Sequence, residues 1–210
     1  MNTISSSPAD RAEPAAPMIR SVTVYLSARD SVDRVYFDDA AAMGRGIANA
    51  GWRLVYGGNN VGLMRAVADG CRAAGGKVLG ITPQLMVDEG IHDPNCELIV
   101  TQTMRERKGL LEARGDAFVI LPGGIGTFEE LFEVLVGRQL GYHKKPIVFL
   151  NTANYYGPLL AMMEHGIEHR FIREANRGLY HVSETVQDVI AYLNAFYPVP
   201  AAPDLKAVAE

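Results

Sequence analysis

Two periods of hydrophobic residues alternate along this chain. Short continuous apolar runs occur at Val22–Leu26, Leu54–Tyr56, Val78–Ile81, Leu98–Val100, Ala117–Leu121 and Ile147–Leu150. Runs of this length suit strands buried on both faces. Between them, apolar residues recur at helical spacing, as in Phe37, Ala40, Ala41, Gly44, Ile47 and Ala48, or Val61, Met64, Val67, Ala68 and Cys71. The pattern predicts strands over 22–26, 53–56, 77–81, 97–100, 117–121 and 146–150, with a short strand near 179–182. It predicts helices over 37–48, 61–71, 104–114 and 127–140, and near 155–169 and 184–196. Gly51 reads as a helix C-cap, Gly75-Gly76 as a helix stop, and the stretch through Pro83 and Pro94 as a loop.

Strands that alternate with helices imply right-handed crossovers and a parallel sheet covered on both faces. The expected fold class is therefore α/β, a doubly wound parallel sheet forming one domain over residues 18–197. Residues 1–17 are rich in Ser, Ala and Pro without periodicity and read as a disordered tail, and 198–210 as a loose one. In such sheets ligands bind outside the carboxyl ends of the strands, where strand order reverses.

Composition narrows the function. The chain has 210 residues, 48% hydrophobic and 21% charged, which suits one soluble domain with a sizeable core. A net charge of −4 without a basic stripe argues against nucleic acid. Cys71 and Cys96 stand apart and read as free thiols in a reducing cytoplasm. The apolar runs are strand-sized and the first residues lack a secretory pattern, so neither membrane nor export is expected.

The chemistry concentrates in Leu121-Pro122-Gly123-Gly124-Ile125-Gly126-Thr127-Phe128-Glu129-Glu130. A buried strand, a glycine-rich turn and a helix bring free N–H groups and a helix dipole onto an anion. The competing structural reading is a tight turn with a capping box, Thr127 as N-cap and Glu130 reaching back. Glu129 occupies the place of the third glycine of a dinucleotide fingerprint, and neither glycine turn ends in the Gly-Lys-Ser/Thr of a P-loop. A monophosphate is the better guest. A second glycine turn, Gly57-Gly58-Asn59-Asn60-Val61-Gly62, also follows a strand and is expected to share the cleft. Met104-Arg105-Glu106-Arg107-Lys108 opens a charged helix, readable as a solvated face or as a phosphate clamp.

Met104-x-x-Arg107-Lys108 followed by Pro122-Gly123-Gly124-x-Gly126-Thr127-x-x-Glu130 resembles the LOG ("Lonely Guy") phosphoribohydrolases, sometimes mislabelled lysine decarboxylases. The similarity runs from about Ser21 to Leu193. It implies a Rossmann-like homodimer that needs no cofactor or metal. The implied reaction cleaves the N-glycosidic bond of cytokinin riboside 5′-monophosphates, often also AMP, to free base and ribose 5-phosphate. It places Arg107 and Glu130 at the catalytic positions. Met104, Lys108, Gly123, Gly124, Gly126 and Thr127 fall at binding positions, with Gly57, Gly58 and Ser27 in the upstream elements. Asn59, Arg65 and Ser27-Ala28-Arg29 depart from the family pattern, which touches base preference more than reaction type.

Breaking a ribosyl C–N bond passes through an oxocarbenium-like sugar, which a carboxylate beside the ribose stabilises. Glu130 is the candidate, with Arg107 orienting the nucleotide and favouring the charged carboxylate. Two other classes compete: a nucleotide- or phosphate-binding carrier without catalysis, and a PLP-dependent decarboxylase, for which Lys108 beside Arg107 offers no cofactor constellation. His165 and His169, at i and i+4, read as a solvated helix face. Phe128, Phe132 and Leu135 are candidates for a subunit interface.

Overall fold

The computed structural model describes residues 18–197, so the two tails expected over 1–17 and 198–210 lie outside the described residues. Seven strands form one sheet: β1 (Ser21–Tyr25), β2 (Arg53–Tyr56), β3 (Val78–Pro83), β4 (Glu97–Thr101), β5 (Ala117–Ile120), β6 (Ile147–Leu150) and β7 (His181–Ser183). Every pairing is parallel and the order is β4-β3-β2-β1-β5-β6-β7. The helices are α1 (Arg34–Asn49), α2 (Gly62–Ala73), α3 (Gln84–Asp88), α4 (Met104–Arg114), α5 (Ile125–Gln139), α6 (Gly157–Glu168) and α7 (Val186–Phe196).

The strand side chains alternate between two cores, as a period of two requires. Val22, Val24, Ala117 and Val119 join Met43 and Ile47 of α1, Leu63 and Val67 of α2 and Val189 of α7. Tyr25, Phe118 and Ile120 point the other way, onto Leu111 of α4, Leu131 and Leu135 of α5 and Met163 of α6. The sheet is thus buried on both faces, which explains the continuous apolar runs. Leu135 is 4% exposed in its own core, and Phe128 packs partly buried against that core. Neither is free for a partner; Phe132, 42% exposed, is.

Several boundaries differ from expectation. The stretch after Ile81 is not all loop: β3 runs on through Pro83, and α3 follows at once. Pro83 is the last residue to pair with β4, at Thr101. The first helix begins at Arg34, three residues before its apolar stripe, with Arg34 and Val35 exposed and Tyr36 partly buried against the core. The strand near 179–182 is shifted to His181–Ser183 because Glu174–Leu179 forms a 3-10 helix. Gly51, with φ +74°, follows the C-cap Ala50 of α1 in the left-handed conformation that ends helices.

Strand order reverses between β1 and β5. The chain runs outward from β1 through β2, β3 and β4, then returns to β5 on the other side. The loops leaving these two strands are therefore the ones that open the ligand crevice. The Ser27 N–H donates to Pro122 O at 3.2 Å across that point, and Ser27 O accepts from Leu63 N–H at 3.1 Å. One residue stitches together the ends of β1, β5 and α2.

Candidate active site

Helix α5 starts at Ile125, with Gly124 as N-cap and no side-chain cap. The expected capping box is therefore absent, a correction to the sequence reading. Thr127 lies in the third helical position, where its own N–H belongs to the orphan first turn. Glu130 sits on the next turn, where its carboxylate accepts from Arg107 rather than from the helix start. The two glycines at 124 and 126 shift the helix start upstream of the residue types that normally mark one. A side-chain cap does open α4: the Thr103 hydroxyl accepts from Glu106 N–H at 3.1 Å, while the Glu106 carboxylate accepts from the N–H of Gln102, one residue before the cap.

The uncapped first turn of α5 meets empty space. A Cβ on Gly124 or Gly126 would have nothing within 4 Å, whereas one on Gly123 would fall 2.1 Å from Thr127 Oγ1. Gly123 is thus required by the close approach of Thr127, while Gly124 and Gly126 leave room for a guest. The Thr127 side chain is nearly buried, and its hydroxyl makes no hydrogen bond among the described residues. Backbone N–H groups, a free hydroxyl and the positive end of a fifteen-residue helix converge on one open spot.

Arg107 and Glu130 meet beside it. Arg107 is 6% exposed and Glu130 8%, and Arg107 Nη1 donates to Glu130 Oε1 at 3.0 Å. Arg107 Nε donates to Ile81 O at 2.9 Å, and Nη2 to Gly57 O at 3.4 Å. The guanidinium therefore joins the end of β3, the upstream glycine turn and α5. Gly57 must lack a side chain, because its Cβ would lie 2.4 Å from Arg107 Nη2. The charged helix start is not a solvated face at this position. Burial pushes the Glu130 carboxyl above its ordinary range; Arg107 opposes the shift, and Glu129 and Glu133 add to it. Burial outweighs the arginine, the reverse of the balance expected from the sequence.

The other expected site residues divide. Met104 is the first residue of α4 and is half exposed at the cleft-side end of that helix. Lys108 turns to α5, where its Nζ pairs with Glu129 and lies 3.2 Å from Glu133 Oε2. It is a clasp between α4 and α5 in this structure, its charge already matched. Gly58, with φ +73°, brings the second turn over Gly80 and Ile81 of β3. The first N–H of α2 at Gly62 is taken by Asp30 Oδ1 at 3.2 Å, and Arg65 pairs with the same oxygen at 2.9 Å. A carboxylate of the protein itself thus occupies the first N–H of that helix, whereas among the described residues no side chain caps the α5 turn. Asn59, a departure from the family pattern, accepts from the Thr82 hydroxyl at 2.9 Å and ties the turn to β3. His165 and His169 are exposed on α6, as expected.

Sequence reading missed two groups around this edge. Tyr56 and Arg72 both donate to the fully buried Asp93, at 2.6 and 2.7 Å, and the Asp93 N–H donates to Gly58 O, anchoring the upstream turn. Tyr155 and Tyr156 reach the α5 loop from the end of β6. The only available signal was a tandem of tyrosines just after a strand, on the ligand edge of the sheet.

The fold and site define a Rossmann-like α/β protein with an open, uncapped helix start beside a buried arginine–carboxylate pair. A family model described as possible lysine decarboxylase matches residues 64–193. The cytokinin riboside 5′-monophosphate phosphoribohydrolase of Rhodococcoides fascians is 42% identical over 183 residues, 86% of this chain and 92% of that protein. The Mycobacterium tuberculosis protein of the same name is 37% identical over 171 residues, 81% and 91% of the two chains. The chain belongs to this LOG phosphoribohydrolase family. A molybdenum cofactor binding protein from Rippkaea orientalis superposes with a TM-score of 0.66 over 85% of this chain and 98% of its own, at 19% identity. That likeness speaks to fold alone.

Proposed function

We propose that this protein hydrolyses the N-glycosidic bond of a nucleoside 5′-monophosphate, a cytokinin riboside 5′-monophosphate or AMP, releasing free base and ribose 5-phosphate. The observation that carries the reading is the buried Arg107–Glu130 pair set beside the open start of α5. Helix geometry puts Glu130 about 7–8 Å along the axis from Ile125, on the order of the span from a 5′-phosphate to the anomeric carbon. A phosphate on the Gly124–Thr127 turn thus brings the sugar to the carboxylate. The names of the family relatives support the same substrate class.

As the C1′–N bond breaks, its electron pair leaves with the base and positive charge develops on the ribose. The Glu130 carboxylate faces that charge and takes a proton from the water whose oxygen adds to C1′; the departing base gains a proton from solvent at the nitrogen that held C1′, and Glu130 returns its own to solvent. Its raised proton affinity favours this transfer at neutral pH. Arg107 holds the carboxylate in place while each terminal nitrogen keeps a second N–H for the sugar hydroxyls. The grip on the phosphate, remote from the broken bond, supplies positioning energy. Incubation with AMP and with N6-prenylated AMP, followed by chromatography for free base, tests the reading. Release from neither overturns it.

The working unit is a dimer in this proposal. Phe132 and Val136 of α5, Met162 of α6 and Phe171 are 42%, 48%, 64% and 91% exposed. Phe132, Met162 and Phe171 also line an apolar groove of about 480 Å³. This patch spans α6, the residues after it and α5, the helix that carries Glu130, and contiguous exposed apolar surface marks interaction sites. Light scattering should give twice the chain mass, and Phe171→Asp should halve it; a monomeric wild type refutes the dimer. Among the described residues no helix is long and apolar enough to cross a membrane. The two free cysteines fit a reducing cytoplasm, checked by thiol labelling of protein drawn from its host.

A further inference from the structure

The carbonyls of the anion loop all point to protein partners. Leu121 O accepts from the Tyr156 hydroxyl at 2.7 Å, Pro122 O from Ser27 N–H at 3.2 Å, and Gly123 O from the Tyr155 hydroxyl at 2.6 Å. In a trans peptide the N–H points opposite to the C=O, and no peptide here is cis. Drawing Pro122 O and Gly123 O back into the protein therefore turns the N–H groups of Gly123 and Gly124 outward. They extend the free N–H groups of the first turn of α5 into one concave set, the arrangement that binds anions.

The tyrosines are held for this by a strained bend. Ala153 and Asn154 have φ of +51° and +56°, left-handed values that cost energy for residues with side chains. Tertiary contacts hold the bend in place. Asn151 N–H donates to Ser183 O at 2.8 Å, the Thr152 hydroxyl donates to Asp39 on α1 at 2.5 Å, and Asn151 Oδ1 accepts from Tyr156 N–H at 2.8 Å. Tyr155 is further braced edge-on by Tyr36 and Tyr156, with ring centroids 6.0 and 5.1 Å away. The same bend leads into two consecutive tyrosines whose hydroxyls donate to Gly123 O and Leu121 O. Strain collected at such a place marks a functional constraint.

We propose that Tyr155, with Tyr156 behind it, is a positioning residue that sets the peptide planes of the phosphate loop and so tunes affinity for the 5′-phosphate without touching substrate. The proposal rests on the reading of the α5 turn as the phosphate site. Tyr156 is fully buried, so Tyr156→Phe would leave Leu121 O unpaired in the core and lower stability as well. Tyr155, 37% exposed, is the diagnostic position, because water can replace its hydroxyl and the ring contacts survive in Phe.

The test is calorimetric binding of ribose 5-phosphate, and of ribose as a phosphate-free control, to wild type and Tyr155→Phe, with melting temperature alongside. The variant should bind ribose 5-phosphate about tenfold more weakly, a loss of one well-aimed hydrogen bond to a charged group. Its melting temperature should stay within about 2 °C of wild type. With AMP, KM should rise by the same factor while kcat holds. Affinity for ribose 5-phosphate within twofold of wild type overturns the proposal, as does a fall in kcat at unchanged KM. If wild type binds ribose 5-phosphate, the variant loses it, and no base is released from AMP, the hydrolase reading fails while this one stands. A wild type that does not bind ribose 5-phosphate overturns this one whatever AMP shows.

Discussion

Replacing Glu130 separates chemistry from architecture. Its carboxylate lies 3.0 Å from Arg107 Nη1, and both side chains are about nine-tenths buried. Orphaning one partner of a buried pair costs about 3–5 kcal/mol. Two features reduce that here. Arg107 keeps the carbonyls of Ile81 and Gly57, at 2.9 and 3.4 Å. The raised proton affinity of Glu130 also shows that its burial already offsets more than the arginine returns. Glu130→Ala should therefore cost about 2–3 kcal/mol, roughly 5–10 °C in melting temperature for a domain of this size. Glu130→Gln keeps an oxygen acceptor for Arg107 and should cost only about 1 kcal/mol.

Turnover responds differently. A proton-accepting carboxylate in the transition state is worth on the order of 10²–10⁴ in rate, and glutamine cannot supply it. Both variants should therefore lose at least about a hundredfold in base release from AMP, although glutamine melts almost as wild type does. Both should still bind ribose 5-phosphate, since the Gly124–Thr127 turn is untouched. The decisive comparison is glutamine against alanine at equal folded concentration. If the pair were only a strut, activity would track melting temperature and Glu130→Gln would work. Glutamine turnover within tenfold of wild type would refute a chemical role for the carboxylate.

Three further outcomes follow from the same geometry. Gly126 lies in the first turn of α5 with open space where a Cβ would go, so Gly126→Ala should stabilise the fold by about 0.5–1 kcal/mol. It should nonetheless raise KM for the monophosphate severalfold by crowding the anion; an unchanged KM would move the phosphate elsewhere. In the pH profile, kcat/KM should fall as Glu130 protonates, at a midpoint above the ordinary glutamate value of 4.5 because burial raises it. For stability the sign is the opposite of a salt-bridged acid. Between 4.5 and the raised folded value the native state holds a proton that the unfolded chain has lost, so Glu130 makes stability decline as pH rises through that window. Urea titrations of wild type and Glu130→Gln across those pH values should differ in slope, and parallel curves would contradict the shift. Thr103→Ala removes the cap of α4 and should cost about 1 kcal/mol by urea unfolding. An unchanged midpoint would show that packing alone holds the turn carrying Arg107.

How much of this was readable in advance depended on whether a residue's role was local. The strands and most helices were legible because burial on both faces of a parallel sheet writes itself into continuous apolar runs and helical stripes. The edge holding the site was legible too, because glycine turns directly after strands can lie only at the strands' carboxyl ends. Where residues act across the fold, local pattern misled. Thr127-x-x-Glu130 has the spacing of a capping box, yet Glu130 is drawn off by Arg107, twenty-three positions earlier in the chain. Lys108, expected at a binding position beside Arg107, pairs in this structure with Glu129 and Glu133, since one step along a helix turns a side chain by about 100°. Tyr155 carried only the weak signal of a tyrosine tandem after a strand, since its contact with Gly123 spans thirty-two positions and follows a left-handed bend at Ala153 and Asn154. Motif spacing therefore identifies which residues converge on the cleft, while their division into ligand, clasp and support is decided by the tertiary partner that each side chain finds first.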